Sequence, residues 1–190
     1  EADEHVGSLL EKVGLRREVA NMYAHELSGG MKQRVAMAIA ISMKPKVIIA
    51  DETTSALDVV VQKRVIETLQ DVQKELGASI ILVGHDMGLM AQTVDRLGVM
   101  YAGRLAEIAP IRDTLIKPQH PYTRMLIESL PAVTEKKPLR GIAGLAPQLL
   151  NLPSGCAFHP RCPHVFERCI AETPELRSTE QGRAASCHLI

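Results

Sequence analysis

Residues 27–58 read LSGGMKQRVAMAIAISMKPKVIIADETTSALD, and the rest of the chain can be placed around this run. A serine followed by the pair Gly29-Gly30 leads into a helix-length apolar segment. Glycines at a helix start leave backbone N–H groups free beside the positive end of the helix, a ready anion site. The helical spacing of Val35, Ala38, Ile39 and Met43 stops at Pro45, which cannot continue a helix. Val47-Ile48-Ile49-Ala50 then reads as a buried parallel strand, and ligands of open α/β sheets gather beyond the carboxyl ends of such strands. Asp51 and Glu52 stand at that end.

Beyond Asp58, Val61, Val65, Leu69, Val72 and Leu76 recur at three and four residues, and Gly77 follows as a C-cap, so a crossover helix is predicted. Ser79 to Gly84 is the next apolar strand, and a right-handed crossover makes it parallel to the first. His85 is thereby expected on the same edge as Asp51 and Glu52. Upstream, Ser8 to Tyr23 reads as two short amphipathic helices broken at Gly14. Downstream, a helix from Asp86 precedes a hairpin of residues 97–101 and 104–108 about Ala102-Gly103. Helices are predicted at Ile111 to Lys117 and again from Pro118.

Paired carboxylates beside a phosphate site suit one that holds a magnesium ion and one that acts on an attacking water, the chemistry of nucleotide hydrolysis. These residues resemble the motifs of the ATP-binding-cassette (ABC) ATPases. Residues 27–34 look like the signature motif, Val47 to Glu52 like the Walker B strand, Ser55 to Asp58 like the D-loop, and His85 like the switch histidine. The HPYT string at His120 to Thr123 is similar to the stretch following the core in oligopeptide and dipeptide importer ATPases.

The resemblance implies a mostly parallel α/β P-loop NTPase-like core with flanking helices, followed by a small Cys-rich extension. It implies ATP as substrate, with Ser28, Gly29, Gly30 and Gln33 at the nucleotide of a facing subunit. It further implies Mg2+ held through water by Asp51, Glu52 and His85 as the catalytic pair, and Asp58 communicating across the dimer. The implied partners are a second ABC ATPase subunit, identical or a paralogue, two membrane permease subunits, and indirectly an extracytoplasmic solute-binding protein. Nucleic acid is not among them, and the implied location is peripheral, at the cytoplasmic face of the inner membrane. Two other readings are a non-transport ABC ATPase of DNA repair or translation, and a metal-stabilised interaction module without turnover.

Two departures bear on these expectations. The family usually has proline after the Walker B glutamate, where this chain has Thr53. No G-x-x-x-x-G-K-[ST] phosphate loop occurs, and the chain opens at Glu1 within helical sequence. It therefore reads as the C-terminal part of a longer protein, inactive alone for want of that loop.

Three divisions are expected: 1–131 as the end of an ATPase domain, 132–152 as a linker containing the charged stretch Thr134 to Pro138, and 153–190 as the extension. All four cysteines, Cys156, Cys162, Cys169 and Cys187, lie in the last part. Four thiols in a stretch with little core-forming sequence suggest a staple. An ATPase core argues for a reducing compartment and against disulfides. Spacing alone leaves zinc and an iron–sulfur cluster open. The resemblance favours a [4Fe–4S] cluster, with Zn2+ as the alternative. His159, His164 and His188 are expected in surface or capping roles, and Phe158 and Phe166 in a mini-core.

The 190 residues carry 46% hydrophobic side chains, enough for a core, with 22 basic against 22 acidic groups. A net charge of zero gives no bulk attraction to nucleic acid or anionic membrane. The longest uncharged apolar run, Val35 to Met43, is far too short to span a bilayer, and no signal-peptide pattern opens the chain.

Overall fold

A computed structural model of the chain describes residues 1–55, 57–130, 141–180 and 182–190. The charged stretch Thr134 to Pro138 and Ala56 of the D-loop lie outside the described residues. Two units are distinguished, Glu1–Met87 and Gly88–Ile190.

In the first unit, helix α1 (Ala2–Lys12) ends before Gly14, whose φ of 70° is the left-handed turn expected of a breaking glycine. The following piece is a 3-10 turn, Arg17–Asn21, in place of a second α-helix. Helix α2 (Gly29–Ile41) starts at Ser28, whose Oγ accepts the Met31 N–H at 3.3 Å. Its buried residues are Gly30, Met37, Ala38 and Ile41. Ile39 and Met43, counted by the sequence in the apolar stripe, are exposed. Strand β1 (Val47–Asp51) and strand β2 (Ser79–Val83) pair in parallel, with Ile49 opposite Ile81 and Asp51 opposite Val83. Between them, helix α3 (Val59–Leu76) buries Val65, Ile66, Leu69 and Val72 and ends at Gly77, φ 63°. Leu10, Val13, Met37, Ile41, Ile48, Ala50, Val65 and Leu69 belong to one apolar cluster. The strands are buried on one face only: Ile48 and Ala50 point into the cluster, while Val47, Ile49, Ile81 and Val83 are exposed. A full parallel sheet covers both faces, which is why the sequence reads as buried throughout.

Helix α4 (Met87–Thr93) precedes an antiparallel hairpin of β3 (Arg96–Tyr101) and β4 (Arg104–Pro110). Ala102 and Gly103 turn it with φ of 48° and 78°, the paired left-handed geometry of a two-residue hairpin loop. Helices α5 (Ile111–Ile116) and α6 (Pro121–Glu128) follow. His120 caps α6 through Nδ1, which accepts the Tyr122 N–H at 3.0 Å, and Pro121 takes the first helical position.

After the short helix α7 (Glu167–Ala171), strands β5 (Arg177–Ser178) and β6 (Ala184–Ala185) join the hairpin in the order β3-β4-β6-β5. Ile108 lies opposite Ala184 and Glu107 opposite Ala185. The C-terminal segment is thus hydrogen-bonded into the sheet that the hairpin begins. No helix among the described residues is long and apolar enough to cross a membrane.

Candidate functional site

The Walker B-like end of β1 and the start of the chain beyond β2 meet at one edge. Glu52 continues β1 by one residue, its N–H donating to the Val83 carbonyl at 3.0 Å, and its φ is 44°. A non-glycine residue in the left-handed region is uncommon and costs about 1 kcal/mol or more, so such a residue at a strand end points to function. The turn directs the Glu52 carboxylate to two neighbours. Ser55 Oγ donates to Oε2 at 2.9 Å, and His85 Nδ1 stands 3.8 Å from Oε1. Both side chains remain open, His85 at 83% and Glu52 at 58% exposure, so solvent or a ligand reaches the pair. Asp51 is exposed at the last position of β1. Thr53, standing where the family has proline, buries Oγ1 without a hydrogen-bond partner.

The signature-like turn lies in the same unit. Gly29 and Gly30 form the first turn of α2, where backbone N–H groups have no intrahelical acceptor. Their lack of side chains also has a packing reason. A Cβ on Gly30 would come within 2.5 Å of Val61 Cγ1, and one on Gly29 within 3.1 Å of Leu57 Cδ2. The start of α2 is therefore fitted against the D-loop-like turn and the start of α3. Asp58 caps α3, accepting the N–H groups of Val60 and Val61 at 3.1 and 3.0 Å. Gln33 is half-buried in α2. The structure thus brings Glu52 and His85 together, and packs Gly29 and Gly30 against Leu57 and Val61.

In the second unit Cys156, Cys162, Cys169 and Cys187 line one small pocket, with Phe158 and His120 on its wall. All four are free thiols. Burial raises the pKa values of Cys156, Cys162 and Cys187, and the neighbouring thiols push the same way. Cys156 N–H donates to the Cys169 carbonyl at 2.8 Å. Gly155, φ 65°, lets these strands of chain meet, since a Cβ there would sit 2.4 Å from the Cys169 oxygen. His159 and His188 each bond a backbone carbonyl, of Cys156 and Glu172. Phe158 is buried among the rings of Tyr101, Tyr122 and His120, whereas Phe166 is 39% exposed. Among the described residues, no group of three or more His, Cys, Asp or Glu side chains is arranged to hold a metal ion.

Sequence reasoning passed over Ser55 as the partner of Glu52, and Glu107 entirely. Glu107 is fully buried in β4 and accepts the N–H groups of Gln119 and His120 at 2.9 Å each. Arg183 Nη2 lies 3.8 Å from it. A carboxylate inside the apolar strand RLAEIAP was the available signal, since buried charges are paired.

The ABC transporter family model matches residues 1–55, and the model for the oligopeptide/dipeptide transporter C-terminal region matches residues 106–169. The chain is 42% identical to an oligopeptide transport ATP-binding protein of Bacillus subtilis, over 100% of this chain and 58% of that protein. It is 46% identical to a probable peptide ABC transporter ATP-binding protein of Sinorhizobium fredii, over 95% of this chain and 52% of that one. A di/tripeptide transport ATP-binding protein of Pseudomonas aeruginosa is 42% identical over 99% of this chain and 58% of its own length. The chain thus spans a little over half the length of the curated relatives it matches. Among solved structures, a Clostridium perfringens protein that is part of an ABC transporter complex is similar at TM-score 0.55 and 32% identity, covering 60% of this chain and 45% of that one. A dimeric ATP-binding cassette in a post-hydrolysis state with ADP and Pi gives TM-score 0.50 and 28% identity, over 57% of this chain and 47% of its own. With its motifs seated on this α/β architecture, the chain belongs to the ABC transporter family, and its later part matches the C-terminal region of oligopeptide/dipeptide transporters.

Proposed function

We propose that this chain forms the signature and hydrolysis half of an ATPase subunit that energises uptake of di- or oligopeptides. The observation that carries it is the Glu52 carboxylate, turned by a left-handed backbone toward Ser55 and His85 at the end of a parallel strand. The N–H groups of Gly29 and Gly30 with Ser28 would grip the γ-phosphate of ATP bound by a facing subunit, with Gln33 on the same helix beside it. Glu52 would take the proton of the attacking water, and His85 would meet the γ-phosphate from the same edge. Asp51 has a carboxylate suited to holding Mg2+ through water, an ion that supplies charge neutralisation on the phosphates when bound. Asp58, already engaged as a helix cap, would report closure of the dimer to α3. Relatives named as peptide transport ATP-binding proteins support the cargo class, and two permease subunits with a peripheral place on the cytoplasmic side of the membrane complete the reading.

In this reading the ATPase portion runs to residue 131, residues 132–152 connect, and residues 153–190 form the Cys-rich extension. Four thiols lining one pocket support an iron–sulfur cluster there, since such clusters are held by cysteine thiolates. Bound, it would cross-link the segment. Iron and acid-labile sulfide measured on anaerobically purified chain, and lost in Cys162→Ser, would bear this out; zinc alone would overturn it.

The hydrolysis reading is tested on the chain joined to the part of the similar Bacillus subtilis protein that it does not span. ATP turnover is expected there, with Glu52→Gln lowering it about 100-fold or more while ATP binding persists. Equal turnover in the two proteins would sink the assignment.

A further inference from the structure

On the first unit, the ends of α1, α2 and α3 enclose a cavity of about 230 Å³ that none of the motifs above uses. For scale, an engineered apolar cavity of about 150 Å³ accepts benzene. Its apolar wall is formed by Leu9 and Leu76, and its polar wall by His5, Ser8, Lys12 and Lys44. Among the described residues, no carboxylate lines it. Lys12 on its wall is already joined to Glu75 in an ion pair.

The ordinary use of a lysine at a helix C-terminus is to satisfy the last carbonyls and the negative end of the helix. That need is met here by other groups. The Ile39 carbonyl accepts from both Ser42 N–H and Ser42 Oγ, and the Ile41 carbonyl accepts the Lys44 N–H at 2.9 Å. The Lys44 backbone is fixed in a left-handed turn, φ 49°, at the cavity mouth. Among the described residues, the Lys44 ammonium, the Ser8 hydroxyl and the His5 ring make no hydrogen bond or ion pair. A cavity with an apolar wall, uncommitted donors and an unneutralised cation is complementary to a molecule with one anionic head and an apolar body.

We propose that this cavity binds a small amphiphilic anion, its carboxylate or phosphomonoester head held by Lys44 and Ser8 and its apolar body against Leu9 and Leu76. The site is separate from the ATP-facing turn of α2, and the proposal stands on the α1–α2–α3 geometry, independent of the ATPase reading.

The test is a titration of the 190-residue chain with hexanoate, hexyl phosphate, hexylammonium and 1-hexanol, followed by backbone amide NMR. Saturable shifts confined to residues around Ser8, Leu9, Ser42 and Lys44 are expected with the two anions, the tighter of them naming the head group. Lys44→Gln removes only an exposed, unpartnered charge and should weaken anion binding roughly tenfold, the worth of one charge-assisted hydrogen bond. Ser8→Leu fills the cavity from a helical position that favours leucine, and should abolish binding in a chain whose spectrum stays folded. Equal binding of hexylammonium or hexanol, unchanged affinity in Lys44→Gln, or no localised shifts with either anion would overturn the proposal.

Discussion

At Gly30 there is no space for one more carbon. The nearest atom, Val61 Cγ1, would stand 2.5 Å from an added Cβ, and a β-branched side chain within a helix has essentially one rotamer to offer. Gly30→Ala should therefore destabilise the first unit by about 1–3 kcal/mol, the usual cost of overpacking, as read by urea unfolding. Adding Val61→Ala should recover most of the loss, and a double variant no better than Gly30→Ala would show that packing is not the cause. His120 makes a second prediction at this scale. Burial lowers its pKa from 6.5 to about 4, although a backbone hydrogen bond with Ser186 opposes the shift. Between those values the unfolded chain binds the proton that the folded chain refuses. The neutral ring's contribution is thus complete above pH 6.5 and is lost as pH falls toward 4, a change of about 3 kcal/mol. Denaturation midpoints from pH 7 to pH 4 should fall steeply in the wild type and less in His120→Asn, which retains a capping side chain. Parallel pH profiles would refute this.

Among the elements, α2, β1, α3 and β2 were legible because their signals are local: a cap, an apolar period and a terminating glycine or proline lie within each segment. Gly77 caps α3 where the pattern puts it, and α2 ends at Ile41, ahead of Pro45. The edge that gathers Asp51, Glu52 and His85 was legible too, since strand ends and crossover handedness fix it. The outward face of α2 was misread, because a helix apolar on most sides does not disclose which side meets the core, and Ile39 and Met43 turned outward. Ser55's bond to Glu52 was invisible because it depends on the positive φ of Glu52, which no residue type signals. Asp58 was read for its family role, yet its carboxylate is occupied in capping α3. Asp58→Ala should cost about 1 kcal/mol in urea unfolding, and Asp58→Asn much less, since asparagine caps equally well. If both variants lost the same stability, the cap would not be the source.

Across the whole chain, the least legible feature is how the C-terminal segment is held. Nothing in the composition of residues 177–188 announces that Ala184 and Ala185 pair with β4, because edge pairing is made by backbone groups that every residue carries. The side chains that fix it come from distant points of the sequence. Ser186 Oγ donates to the Leu105 carbonyl at 2.6 Å, Arg96 Nη2 to the Gly182 carbonyl at 2.8 Å, and Thr179 Oγ1 to Gln119 Oε1 at 3.0 Å. Glu107 is the centre of this arrangement, accepting from Gln119 and His120 while Arg183, 14% exposed, approaches from the tail. Arg183 Nε is itself buried with no acceptor, while Nη2 donates to the Lys117 carbonyl and faces the Glu107 carboxylate. Truncating Glu107 leaves the Gln119 and His120 N–H groups without their acceptor and Arg183 with the Lys117 carbonyl but no carboxylate, whereas an amide would keep the shape and some of the hydrogen bonds. Glu107→Ala should therefore cost about 3–5 kcal/mol, and Glu107→Gln less. The loss should fall first on the tail, with amide hydrogen exchange accelerating at Ser186, whose N–H donates to the Ala106 carbonyl of β4, before it does in the β3–β4 hairpin. Uniform acceleration through the second unit would mean that Glu107 supports the core at large and does not clasp the tail.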